Sequence, residues 1–335
     1  MAVLYVKEQG AYVRKCGRRI QVEKDGKRLA DLPVFQVTNI NIIGNVQITT
    51  QALHFLMQEG IDVSYLSRSG NYIGHMTADS SKNIFLRLAQ YNCYQSIEQR
   101  LQMARCIVEN KANNQIELIK CYRWKAEEYD PGKDLDEIKK NLSKLKHKQT
   151  TNEIMGIEGI CSAVYFRAYS HMFQCRLAFN GRNRRPPRDP INAVLSLAYT
   201  FLTKEVSSAL EAESFETYLG FLHGIRYGRK SLALDLVEEF RQPVADRFVL
   251  RLFNKQMLSE YDFDYEGDRV LLREESFKKF CREYEKWMTQ PLSVRNTKSF
   301  REILHDQISR LKKAVRERAE YVPFRWGKEY VSDLL

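Results

Sequence analysis

The sequence predicts an α+β protein, with a small β-rich N-terminal domain over residues 1–80 and a larger all-α C-terminal domain over residues 81–335. Three observations predict it. Before residue 80, short apolar segments are interrupted by Gly10, Gly26, Gly44, Gly60 and Gly70, the punctuation of strands and turns. From residue 81 the apolar spacing becomes three and four, the period of a helix. Gly and Pro are then sparse until the 180s. A length of 335 residues also suggests about two domains.

The elements follow in order. Leu4 and Val6, then Tyr12 and Val13, sit in strand-like segments on either side of Gly10. Ile20-Gln21-Val22 and Arg28-Leu29-Ala30 flank Asp25-Gly26, a tight-turn pair. Pro33 precedes Val34-Phe35-Gln36-Val37, and Ile40-Asn41-Ile42-Ile43 ends at Gly44. One helix interrupts, capped by Thr49 or Thr50, facing inward with Ala52, Phe55 and Leu56, and stopped at Gly60. Residues 61–66 return as a strand, Ser69-Gly70 turn, and Tyr72-Ile73 follow. Beyond residue 81, Ile84, Leu88, Ile97, Leu101, Ala104 and Ile107 predict a long helical stretch. The same period recurs over 191–202, 215–223, 232–240 and 300–314. The C-terminal segment with Trp326 and Tyr330 reads equally as an ordered segment or a loose tail.

Composition narrows the class. Hydrophobic residues make up 44% and aromatics 11%, enough for a core and too much for a disordered chain. No run reaches the roughly 18 apolar residues of a membrane span, so no membrane association is expected. The N-terminus lacks the pattern of a signal peptide. Seven cysteines, odd in number and without CxxC spacing, point to free thiols in a reducing cytoplasm. Lys and Arg number 53 against 42 Asp and Glu, a net charge of +11, which suits an anionic partner such as nucleic acid. Residues 1–80 carry nine bases against seven acids, so about +9 belongs to the helical part. There, Lys139, Lys140, Lys144, Lys146 and Lys148 read as a solvated helix end. Arg176, Arg182, Arg184, Arg185 and Arg188 form a Gly/Pro-containing loop with no acid among them. Guanidinium groups bind phosphate through paired hydrogen bonds, and the bland alternative is a solvated loop.

Three segments carry residues suited to metal chemistry. Glu158 lies between Gly156 and Gly159 at the apparent start of an apolar helix. Alone it reads equally as a first-turn Glu on the helix dipole. His223 closes the segment 214–222 before Gly224, where a histidine also serves as a dipole partner. Asp235 and Glu238, three apart in 231–241, share one helix face, as a surface stripe also would. Together, two or three carboxylates and an imidazole suit Mn²⁺ or Mg²⁺ better than zinc, because no thiolate takes part. Arg241, one turn along, suits phosphate chemistry.

These segments, in this order, resemble the CRISPR-associated integrase/endonuclease of the spacer-acquisition complex, the first-numbered family of CRISPR-associated proteins. Gly156-Ile157-Glu158-Gly159 with Tyr165-Phe166 is similar to its Glu motif, and Asp189 through Tyr199 to its central signature. His223, Gly228-Arg229 and Leu234 through Arg241 are similar to its His and second carboxylate motif. Ile43-Gly44-Asn45-Val46, Gln51-Ala52-Leu53 and Gly60-Ile61 are similar to its strand–helix junction. Ala198 stands where the family often has Gly, and Gln242 where it often has Pro. The resemblance implies that Glu158, His223 and Glu238 ligate a divalent metal, Mn²⁺ or Mg²⁺, with Asp235 supporting or substituting. It implies that Tyr165, Asn192, Ser196 and Tyr199 line the site. Arg184, Arg185, Asn192 and Arg241 are then the candidate nucleic-acid contacts. It further implies a homodimer, through the N-terminal domain, and a small partner subunit of the same complex. The implied substrate is double-stranded DNA with single-stranded ends, and the reaction is 3′-hydroxyl attack on a phosphodiester at a repeat boundary, with DNA cleavage related to it. The competing readings are a non-catalytic nucleic-acid-binding scaffold and an RNA-processing enzyme, since basic charge suits either.

Overall fold

The structure, a computed structural model, describes residues 2–76, 83–124, 129–183, 186–293 and 297–327. The chain forms two compact units, Met1–Ser81 with Leu272–Glu285, and Lys82–Leu271 with Lys286–Leu335. The boundary near residue 80 falls on residues 77–82, outside the described residues, as do Arg184, Arg185 and Tyr330.

Among the described residues, the N-terminal part of the first unit holds β1 (Ala2–Val6), β2 (Tyr12–Cys16), β3 (Arg19–Lys24), β4 (Lys27–Pro33), β5 (Val37–Ile43), β6 (Gln47–Ile48), α1 (Thr50–Gln58), β7 (Asp62–Leu66) and β8 (Tyr72–Met76). They form two four-stranded sheets, ordered β1-β5-β7-β8 and β4-β3-β2-β6. The Asp25-Gly26 pair makes the turn between β3 and β4, both residues at positive φ (50° and 72°), the backbone a two-residue hairpin needs. Thr49 is the cap of α1, its hydroxyl accepting from the Ala52 amide. Ile40 and Val63 pair across the parallel β5/β7 ladder and are both buried. They join Val13, Ile20 and Leu56 in one core.

The second unit holds α2 (Ile84–Gln95), α3 (Ile97–Cys121), α4 (Gly132–Leu142), α5 (Thr151–Ser170), α6 (Pro190–Ala212), α7 (Ser231–Phe240), α8 (Arg247–Asn254) and α10 (Phe300–Glu317), with β9 (Phe263–Glu266) paired to β10 (Arg269–Leu272). Helix α9 (Glu274–Thr289) lies in sequence across the division between the units. The 25-residue α3 is central, packing on α5 and α7. Ser96 separates it from α2 by capping the Gln99 amide. Among the described residues no helix is long and apolar enough to cross a membrane, and all seven cysteines are free thiols.

The structure departs from the sequence expectations in four places. The second unit is not purely helical, since the β9–β10 hairpin turns at Gly267 (φ 56°). Leu272–Glu285 belongs to the first unit. Helix α5 begins at Thr151 behind a Thr150/Glu153 capping box, so Glu158 sits two turns in and is not a first-turn residue. Residues 215–223 do not form a helix. Their polar backbone is satisfied from elsewhere: the Gln90 amide donates to the Glu216 and Leu219 carbonyls and accepts from the Glu216 amide.

Candidate active site

Each of three helices delivers one charged group to a common point. Lys111 comes from α3, Glu158 from α5 and Glu238 from α7. The Lys111 ammonium bonds Glu158 Oε1 and lies 2.6 Å from Glu238 Oε2. Its side chain is 6% exposed, that of Glu238 4% and that of Glu158 25%. Glu238 is thus the floor of the site and Glu158 its solvent-facing edge. Ser162, one turn after Glu158, donates to Glu158 Oε1 at 2.9 Å, and Gln115 donates to Ser162 at 3.2 Å. The Arg241 guanidinium is a second cation on Glu238, 3.0 Å from Oε2. Burial pushes the Glu238 carboxyl up, but Arg241 and Lys111 outweigh it and hold the group down to about 2.

His223 arrives on a loop, not on the helix end expected of it. Asp235 holds that loop in place. Its carboxylate accepts from the amides of Phe221 (2.5 Å), Leu222 (3.0 Å) and His223 (3.0 Å). It also receives His223 Nδ1 at 2.6 Å. A carboxylate accepts, so Nδ1 carries the proton, and in the neutral ring the lone pair lies on Nε2. Burial acts to lower the imidazole pKa, yet the Asp235 bond and charge raise it overall, with a further contribution from Glu238. Arg229 donates to the His223 carbonyl. Gly220 allows the loop to lie against α7: a Cβ there would stand 2.7 Å from the Ser231 carbonyl carbon.

The residues expected to line the site divide. Tyr165 and Tyr199 are buried, and their hydroxyls donate to Asp246 at 2.7 and 2.5 Å. Asp246 ends a π-helical segment, Arg241–Asp246, a local irregularity that recurs at functional sites. The Tyr199 ring lies under two guanidinium groups, Arg241 at 4.6 Å and Arg182 at 5.4 Å. Asn192 is fully buried. Its amide accepts from Arg182 and from the Asn183 amide, and donates to Gly181 and Asp189. It has no surface to offer a ligand and instead organises the arginine loop. Ser196 accepts from Arg182 at 3.0 Å. Arg241 is 13% exposed and engaged with Glu238 and Tyr199.

The donors are right in kind for a hard divalent ion: two carboxylates and an imidazole oriented by a carboxylate. Glu238 Oε2 is buried with the Lys111 ammonium at 2.6 Å and the Arg241 guanidinium at 3.0 Å, so positive charge already stands where an ion would. Among the described residues no three His, Cys, Asp or Glu side chains are gathered tightly enough to share an ion. The Lys111 ammonium takes the bridging place between the carboxylates. Reasoning from sequence missed Lys111, although the polar run Glu109-Asn110-Lys111 and Asn114-Gln115 inside an apolar-periodic helix was the available signal.

Lys111→Met should leave two carboxylates facing each other and lower stability by about 3–5 kcal/mol. Urea denaturation with no loss of midpoint would show that Lys111 does not hold them. Gly220→Ala should cost about 1–3 kcal/mol by lifting the His223 loop from α7, read in the same assay.

The model of the family described as CRISPR associated protein Cas1 matches residues 4–286, so α10 and the residues after it lie beyond the match. The CRISPR-associated endonuclease Cas1 3 of Thermus thermophilus is 37% identical over 330 residues, covering 97% of each chain. A solved Cas1 protein from Thermotoga maritima superposes with a TM-score of 0.82 at 26% identity, covering 93% of this chain and 96% of that one. A chain of a Cas6-RT-Cas1–Cas2 complex superposes at 0.84 and 23% identity, covering 97% of this chain and 36% of that one. With the family model matching residues 4–286 and a relative 37% identical over 97% of its length, the chain belongs to the Cas1 family of CRISPR-associated proteins.

Proposed function

We propose that this protein is a metal-dependent DNA integrase and endonuclease that inserts captured DNA fragments into a CRISPR array. The observation that carries the reading is the meeting of Glu158 and Glu238 on one buried cation, beside a histidine whose free nitrogen is fixed by Asp235. In the reaction, the 3′-hydroxyl of the fragment attacks a phosphodiester at the repeat end. A new P–O bond forms to the fragment's 3′-oxygen and the P–O bond to the departing 3′-oxygen breaks, and the proton lost by the attacking hydroxyl is balanced by one taken up by the departing oxygen. Glu158, His223 and Glu238 would hold Mn²⁺ or Mg²⁺, which supplies Lewis-acid stabilisation of the charge developing on the phosphoryl oxygens.

The chain's own residues do the rest. Asp235 fixes the tautomer and direction of His223. Arg241 and Lys111 keep Glu238 ionised. Arg182, held by Asn192, and Arg184, Arg185 and Arg188 grip phosphates of double-stranded DNA with single-stranded ends. Arg241 reaches phosphate only through the charge it lends the site. The β-rich first unit serves homodimer contacts. A chain of this fold occurs in a Cas6-RT-Cas1–Cas2 complex, which supports a small partner subunit here too. The setting is the reducing cytoplasm.

Glu158→Ala should abolish Mn²⁺-dependent strand joining while leaving DNA affinity nearly unchanged, and EDTA should do the same to the wild type. Strand joining at normal rates in either case would instead favour a site elsewhere. Binding unaffected by chelator, with no joining at all, would favour a non-catalytic scaffold. Because phosphates dominate the contact, affinity for duplex DNA should fall by about 10³-fold or more between 50 and 200 mM salt, nearly independent of sequence. Filter binding across a salt series, with RNA as competitor, checks this.

A further inference from the structure

The segment after α10 is bonded into the centre of the second unit. Tyr321, Phe324 and Trp326 are buried, at 4%, 5% and 0% exposure. The Tyr321 hydroxyl donates to Glu239 Oε1 at 2.5 Å, and the Phe324 amide to Glu239 Oε2 at 2.8 Å. Both oxygens of a buried carboxylate on α7 are therefore taken by this segment. On α3, Asn110 donates to the Phe324 carbonyl at 2.8 Å, and Asn114 receives the Trp326 amide at 3.0 Å. The Asn114 amide closes the circuit by donating to the Glu239 carbonyl (2.9 Å) and the Phe324 carbonyl (3.2 Å). The Phe324 ring stacks on Phe240, centroids 5.3 Å apart, and the Arg247 guanidinium covers the Trp326 ring at 4.6 Å.

The partners of this segment adjoin the charged groups of the site. Asn110 and Asn114 are the neighbours, in chain and in helical row, of Lys111. Glu239 follows Glu238 directly. Neither asparagine nor Glu239 belongs to the set assigned to the reaction above. We propose that residues 319–327 are a positioning strap, which ties α3 to α7 and so fixes the register in which Lys111 meets Glu238. A side chain moved by about 1 Å in a site of this kind changes rate by orders of magnitude, so a strap acting through α3 and α7 affects turnover without touching DNA.

This inference rests on the strand-joining reaction proposed above, and Tyr321→Phe in the full chain tests it. The substitution keeps the ring and removes only the hydroxyl that Glu239 accepts. The expected result is a fall of about tenfold in kcat for Mn²⁺-dependent joining with an unchanged KM for DNA. Backbone hydrogen exchange should quicken over 110–115 and 236–240. Val322→Ser, at an exposed position of the same segment, should change neither. The proposal is overturned if kcat stays within about twofold of wild type while exchange quickens, because the segment is then merely structural. It is equally overturned if exchange over both helices is unchanged. Should the wild type join no strands, the proposed reaction has failed and the positioning role falls with it, whereas joining by the wild type with an unchanged kcat in Tyr321→Phe overturns the strap alone.

Discussion

A single ammonium group buried between two carboxylates organises the second unit. Lys111, Glu158 and Glu238 come from three different helices, and none could be buried alone. An unpaired ion in the interior costs several kcal/mol, so the packing of α3 against α5 and α7 is tied to the meeting of their charges. Arg241 adds a second positive group on the same carboxylate. The result is two cations against two anions, with Glu158 and nearby His223 about a quarter exposed. A place that already stabilises positive charge between two oxygens is chemically close to a divalent-cation site. The interaction that stabilises the fold and the one that would bind metal draw on the same oxygens.

Asp235 shows how a single carboxylate can replace local secondary structure. Apolar residues at 215, 219 and 222 have helical spacing, and all three are buried. Yet the chain there is a loop, because Asp235 accepts three consecutive amides that a helix would have bonded internally. The cluster of donors also explains why Asp235 is not simply an alternate to Glu238. Its oxygens are occupied by the loop and by His223 Nδ1, and its work is to direct the histidine. Glu238, three residues on, faces the opposite partner, α3. Two acids on one helix stripe therefore have separate tasks, decided by what each stripe position meets.

Much of this was legible before any coordinates. Glycine punctuation outlined the strands of the first unit, and Asp25-Gly26 located its tightest turn. Apolar period located α6, α7 and α10, and the motif order singled out Glu158 and Glu238, which the fold brings onto one lysine. What escaped has a common cause: it depends on partners distant in sequence. The 215–223 loop takes its bonds from Gln90, 126 residues away from Glu216. Lys111 is an ordinary lysine until Glu158 and Glu238 are placed beside it. The segment around Trp326 has no periodicity, since its order comes from Asn114 and Glu239 and not from neighbours in the chain. The β9–β10 hairpin was hidden by its short strands among long helices.

The basic charge of the chain also acquires a physical location through one aromatic ring. Tyr199 lies beneath Arg182 on one side of the arginine loop and beneath Arg241 of the carboxylate site, while its hydroxyl is held by Asp246. Guanidinium groups stack on aromatic faces while keeping their N–H edges available. Arg182 is thereby aligned by Tyr199, Asn192 and Ser196 at once. The loop that offers positive charge and the pocket that offers negative charge are thus built on the same ring. Tyr199 and Asn192 are therefore buried scaffolding for Arg182 and Arg241 and not surface contacts.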